Sequence, residues 1–309
     1  MRTDDDSWDI TESVGGTAIQ VAMGRMAESA SANPLFHDPH AQYFVEQALE
    51  RGWLPPFSEE VLAQLESNDP LALERLRAMG DYTAVRTRYF DDFFTSASSD
   101  GIDQAVILAA GLDARAWRLD WAHGSTVYEI DQPGVLAFKT HALQARDVQP
   151  ASRYVPVGVD LRRDWPSALR ANGFDLSRPT AWLAEGLLPY LPAAAQDRLF
   201  HDVTGLSAAG SRIAVEAFGN DFYKQESVEK RTAELGGFGC AGPAVGSHVT
   251  QTQELFYLEE HADVAEWLDD CGWQTTTVDA LTMMARYGRL PSDEVKDAVI
   301  KSVFVEAQR

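Results

Sequence analysis

Cysteine is nearly absent: Cys240 and Cys271 are the only two in 309 residues. Two thiols cannot complete a four-ligand zinc site and do not mark a secreted disulfide framework. A reducing cytoplasm is the expected setting. Long apolar runs are missing too. The longest, residues 105–110, falls far short of the roughly 20 residues that a spanning helix needs. The first ten residues, MRTDDDSWDI, are acidic and have no apolar centre, unlike a signal peptide. Positive charge is in deficit. Lys and Arg total 26 against 47 Asp and Glu, a formal net charge of −21. Such a surface repels phosphate backbones and anionic lipid, so neither nucleic acid nor a membrane is an expected partner. No G-x-S-x-G elbow or ordered Ser–His–Asp set occurs, which sets aside the common hydrolase designs.

What is present is an ordinary globular composition, 45% hydrophobic and 24% charged, long enough to bury a full core. Residues 1–100 read as helices. Ile19, Ala22, Met23 and Met26 follow helical spacing, as do Tyr82, Val85, Tyr89 and Phe93 in a stretch ending near Ser96. From residue 101 to 309 short apolar strands alternate with helices. The strands read as AVILAAG (105–111), VYEID (127–131), RYVPVGVDL (153–161), TAWLAEG (180–186), SRIAVEAF (211–218), QTTTVDA (274–280) and VIKSVFVEA (299–307). Pro133 and Pro192 sit where helices open, a position that tolerates a missing N–H. Alternation of this kind predicts a doubly wound, mostly parallel α/β sheet with helices on both faces. Residues 219–258 break the alternation with charges and the stretch GGFGCAGPAVG (236–246). They read as an inserted cap, suited to a mobile lid over a substrate.

In such a sheet the ligand lies beyond the carboxyl ends of the strands, near the point where strand order reverses. The residues there are Gly111, Asp131, Asp160, Leu161 and Glu185. The loop LAAGLDAR carries one firm glycine, Gly111, and lacks the G-x-G-x-x-G of a dinucleotide fold. Asp131 ends the second strand 20 residues after Gly111 (131 − 111). An acidic residue at that place accepts hydrogen bonds from ribose hydroxyls; the alternative is a cap for the helix opened by Pro133. Asp160 accepts from an adenine amine while the backbone N–H of Leu161 donates to the ring, or Asp160 caps the helix of RRDWPSAL. On a wheel of about 100° per residue, Arg86 falls within the apolar stripe of residues 82–94, and Arg88 falls opposite with Asp91 and Asp92. A charge on a buried stripe needs a partner. For Arg86 that is either a protein carboxylate or the carboxylate of a ligand. His37, Asp38 and His40 in HDPH read as an Asp-Pro turn rather than a metal site, and His141 and His201 as surface residues. Phe218, Phe222 and Tyr223 either line an acceptor pocket or pack under the cap.

Several segments, in order, resemble one family. RTRYFDDFF, VILAAGLDARAWRL, YEIDQPGVLAFK, VGVDLRRDWPSAL and AEGLLPYL, with TAIQVAMGRMAES and PLFHDPHAQYFV before them, are similar to the leucine carboxyl methyltransferase superfamily, in its actinobacterial branch. The resemblance spans roughly residues 15–309. It implies a class I, Rossmann-like methyltransferase core that binds S-adenosylmethionine (SAM). It also implies roles: Asp131 on the ribose, Asp160 and Leu161 on the adenine, Gly111 under the methionine part, and Glu185 facing the cofactor. The acceptor it implies is a small molecule or a carboxylate, methylated on oxygen, with no metal required. Ala109 departs from the pattern, since relatives often carry Gly there. A nicotinamide-dependent oxidoreductase is the rival on the same sheet type, and a SAM-binding protein without turnover is the rival of another class.

Overall fold

The computed structural model describes residues 13–55, 59–224, 226–227 and 256–309. Most of the expected cap, including Cys240 and the glycine-rich stretch, lies outside them. Seven strands form one sheet: β1 (Gln104–Leu108), β2 (Thr126–Asp131), β3 (Arg153–Gly158), β4 (Ala181–Ala184), β5 (Arg212–Phe218), β6 (Gln274–Asp279) and β7 (Ser302–Gln308). Their spatial order is β3-β2-β1-β4-β5-β7-β6. β1 to β5 pair in parallel; β7 runs antiparallel between β5 and β6.

The central strands are apolar because both faces are covered. β1 (QAVIL) and β4 (AWLA) are buried at every position. Successive side chains point to opposite faces, so Ile107 joins one core and Val106 and Leu108 the other. The first core is shared with α1 (Ser13–Ser29), α2 (Ala41–Glu50) and the long α4 (Ala72–Ser99), α3 being Glu59–Asn68. Two further helices complete that layer, α6 (Pro133–Gln144) and α11 (Ala280–Arg286). The second core lies under α7 (Trp165–Ala171), α8 (Ala193–Leu206) and α10 (Val264–Asp270). Among the described residues there are also two short helices, α5 (Arg115–Arg118) and α9 (Asn220–Tyr223). β3 holds Pro156 without penalty because it is an edge strand, where a missing donor costs no ladder bond.

Several boundaries move relative to the sequence reading. β1 stops at Leu108 rather than Gly111, because Ala109 (φ 49°) and Gly111 (φ 51°) turn into the left-handed region, which no strand can follow. β3 stops at Gly158, which leaves Asp160 and Leu161 in the turn beyond it. α4 runs on to Ser99, and β7 begins only at Ser302, after a short 3-10 turn at Lys296–Ala298.

Candidate active site

The chain passes from β1 to β2 on one side, then crosses to β4 on the other. That reversal opens a crevice at the strand ends. A cavity of about 260 Å³ occupies it, and Arg86, Gly111, Asp131, Asp160, Leu161 and Glu185 all line it. The sequence separates these residues by as much as 99 positions (185 − 86); the parallel sheet gathers them because every β-strand from β1 to β4 ends on the same side.

Asp131 sits at the tip of β2. Its Oδ2 accepts from the Gly111 N–H at 2.7 Å and its Oδ1 from the Gln132 N–H at 2.7 Å. Neither bond reaches into the first turn of α6, whose N-cap is Gln132, so the cap reading of Asp131 does not hold. Burial raises the Asp131 carboxyl above its ordinary range, and the two amides oppose this. Each oxygen keeps a lone pair for a hydroxyl donor. A Cβ on Gly111 would meet the Ala18 Cβ at 3.5 Å, an ordinary contact, so α1 packs beside this loop. Ala109 holds a left-handed backbone that costs a non-glycine residue about 1–2 kcal/mol. The departure noted in the sequence is accommodated here by an alanine in the left-handed region.

Asp160 accepts from the Arg162 backbone N–H at 2.8 Å and from its guanidinium at 2.7 Å. The helix that follows is capped by Asp164, which accepts from Ser167, so Asp160 is not its cap either. Burial pushes the Asp160 carboxyl up, but the Arg162 bonds outweigh it and the net shift is downward.

Arg86 lies in the cavity wall, and Arg88 is half-exposed, bonded to Asp92 at 2.9 Å and to the Leu35 carbonyl at 3.0 Å. The helical phase read from the sequence is thus the observed one for both arginines. The protein-carboxylate partner considered for Arg86 is present. Its Nε meets Glu185 Oε1 at 2.9 Å and its Nη1 donates to Glu216 Oε2 at 3.1 Å, yet the side chain still borders the cavity. Burial opposes the charge of Arg86, but Glu216 and Glu185 more than restore it. Glu185 is gripped again from below, where Arg115 Nη1 donates to its Oε2 at 2.7 Å. Burial raises Glu185, but Arg115 and Arg86 prevail and hold it below its ordinary range. Asp91 corrects the wheel. Expected on the polar face of α4, it is buried, bonded to Arg115 at 2.7 Å and bidentate to Arg118 at 2.6 Å. α5 covers that side of α4, which no single-helix pattern can show.

Other residues of the site went unnoticed in the sequence. Glu216, in the middle of β5, is wholly buried and accepts from Tyr82, Arg86 and the Gly186 N–H. One acidic residue inside an otherwise apolar strand was the available signal. Ala18, Val21 and Arg25 of α1 line the cavity at helical spacing. Arg25 bonds Asp38 at 2.9 Å and the Leu112 carbonyl at 2.6 Å. Asp38 also accepts from the His40 and Ala41 N–H groups, so HDPH is a turn that starts α2, as read. Phe218 is the last residue of β5, and Phe222 and Tyr223 beyond it are buried. Tyr223 stacks on His261 with ring centres 4.2 Å apart and packs under the surface rather than into the cavity. His141 and His201 are exposed.

The profile of the leucine carboxyl methyltransferase family matches residues 18–204. Across all of this chain, a protein of Mycobacteroides abscessus is 50% identical, with 99% of that relative covered. One of Mycobacterium tuberculosis is 44% identical, with 98% covered. Both are provisionally named S-adenosyl-L-methionine-dependent methyltransferases. The crystal structure of a DUF574-family protein from Streptomyces avermitilis superposes with a TM-score of 0.53 at 13% identity, over 93% of this chain and 96% of that one. At that identity the likeness is one of fold.

Proposed function

The chain belongs to the leucine carboxyl methyltransferase family and is a SAM-dependent methyltransferase, and from that premise we propose that it methylates an oxygen of a small-molecule or carboxylate acceptor in the cavity at the β1–β4 crevice. Family membership sets aside the nicotinamide-dependent oxidoreductase and the protein without turnover. The observation that carries the placement is the pair formed by Asp131 and the Gly111 amide. It gives a half-buried carboxylate with spare lone pairs at the tip of β2, which supports the ribose role.

The residues fit SAM by their donor chemistry. Asp131 accepts from the ribose hydroxyls, and Asp160 with the Leu161 N–H reads the adenine edge. Gly111 lets the backbone approach the methionine part, Arg86 reads its carboxylate, and Glu185 faces it. When bound, SAM supplies a methyl group already activated by its sulfonium charge. The protein's own contribution is then to hold and orient the reactants and to exclude water. Glu185 is suited to positioning because both its oxygens are engaged by arginines, which leaves it no role as a free base. Glu185 is held from two sides by Arg86 and Arg115, so the protein's own ion pairs fix its orientation.

Calorimetry with SAM, S-adenosylhomocysteine and NAD tests the placement. SAM and its product bind and NAD does not. Asp131→Ala weakens SAM binding by about 1.5–3 kcal/mol, roughly tenfold to more than a hundredfold, while the protein stays folded. Unchanged affinity in a folded variant overturns the ribose assignment.

A further inference from the structure

Two acids of the cavity wall share one cation that stands behind it. Asp113, in the loop after β1, and Glu185, just past β4, both line the cavity. Arg115, at the start of α5, is buried behind them. Its Nη1 donates to Asp113 Oδ2 and, at 2.7 Å, to Glu185 Oε2. Its backbone N–H donates to Asp113 Oδ1 at 2.6 Å. The rest of the guanidinium meets α4, where Nε donates to Asp91 at 2.7 Å and Nη2 to the Thr87 carbonyl at 3.1 Å. One side chain thus pins the loops after two neighbouring strands to each other and to the helix packed against them.

Asp113 and Glu185 bond the same nitrogen, so their oxygens lie within a few ångström of each other. Two carboxylates that close and out of water do not both stay ionised unless a cation stands between them. Burial raises both, yet each is held below its ordinary range. Arg115 is the leading opposing charge for Asp113, followed by Lys139 of α6 and Arg118 of α5. It also leads for Glu185, followed by Arg86 of α4, which is shared with Glu216 of β5. Without the guanidinium the pair would retain a proton near neutral pH, and a ligand bringing positive charge would have to displace it to solvent.

Resting on the SAM-binding reading above, we propose that Arg115 is a positioning residue: it holds Asp113 and Glu185 side by side as two carboxylates in the cavity wall, ready for the ammonium end of the cofactor. Each nitrogen of its guanidinium is engaged by a protein oxygen, so it acts through these acids and not on the ligand.

The test is calorimetry with S-adenosylhomocysteine, which keeps the ammonium group, at pH 6 and pH 8 on the full chain and on Arg115→Gln and Arg115→Lys. Circular dichroism shows which variants are folded. Glu129 titrates in the same window in all three proteins, so each profile is read relative to the native one. Arg115→Gln is expected to weaken binding by about tenfold more at pH 6 than at pH 8, because the acid pair is protonated at the lower pH. Arg115→Lys keeps a cation but lacks the fork that reaches all its partners, so it weakens binding by about tenfold at both pH values, in parallel with the native profile. A folded Arg115→Gln with the native pH profile overturns the proposal. If Arg115→Gln does not fold, Arg115→Lys decides: native affinity, or a profile steeper than the native one, overturns it. Failure of the native protein to bind S-adenosylhomocysteine removes the site assignment itself, and this proposal with it.

Discussion

Arg86 and Arg88 are two positions apart on one helix and carry the same charge, yet only one of them faces the cavity. Arg86 keeps its charge in a buried place because Glu185 and Glu216 flank it. Its planar fork can still present donors to a third carboxylate. The native protein is expected to prefer SAM over decarboxylated SAM by about 1.5 kcal/mol, the low end for a charged hydrogen bond, because two glutamates compete for the same guanidinium. Arg86→Ala erases most of that preference, Arg86→Lys keeps a part, and Arg88→Ala leaves it intact. Competitive binding of the two ligands measures it. Retention of the preference in both alanine variants would mean that Arg86 serves Glu185 and Glu216 alone.

Between elements, the most demanding contact joins β2 to α6. Glu129 and Lys139 are both wholly buried and form an ion pair, and Lys139 Nζ also donates to the Asp113 carbonyl at 3.1 Å. One lysine thus ties α6 to the sheet and to the loop that follows β1. Burial pushes the Glu129 carboxyl up to about 7, against the pull of Lys139. Its pKa is higher in the folded state than in the unfolded chain, so folding retains a proton there. The associated stability is complete below the unfolded carboxyl range, near pH 4.5, and is lost as pH rises through about 7. His40 and His261, whose pKa burial lowers, slope the opposite way in the same window. The informative quantity is therefore a difference. Relative to Glu129→Gln, the native protein should lose up to about 3 kcal/mol between pH 5 and 8, read from urea unfolding. Parallel pH profiles for the two proteins would show that Glu129 does not titrate in this range.

At the scale of the whole molecule, the N-terminal helices and the sheet share one core. Ile19, Phe44 and Phe93 belong to the same buried cluster as Ile107, Leu183 and Phe304. The cavity likewise takes its wall from α1, α4 and the loops after β1, β2 and β4. We expect the helical part and the sheet part to unfold in one cooperative transition. S-adenosylhomocysteine at a hundred times its dissociation constant adds about 2.7 kcal/mol to folding and raises that single midpoint by about 4 °C. Two calorimetric transitions, with only the later one moved by the ligand, would mark the first hundred residues as an independent unit.

The sequence by itself determined the sheet and much of the cavity wall, because both follow from local rules. Apolar runs such as QAVIL and AWLA are strands buried on both faces, Asp131 ends one strand, and Gly111 lies in the turn that follows another. The phase of α4 was equally local, so Arg86 was placed correctly by its spacing from Val85 and Tyr89. Only the tertiary structure decided which charges meet. Asp91 is buried because α5 lies across it, Arg25 reaches Leu112 from 87 positions away, and Glu216 holds Arg86 across 130. A partner at that distance leaves no periodic trace in the chain, since a buried ion pair is set by which elements pack together and not by the pattern within either one.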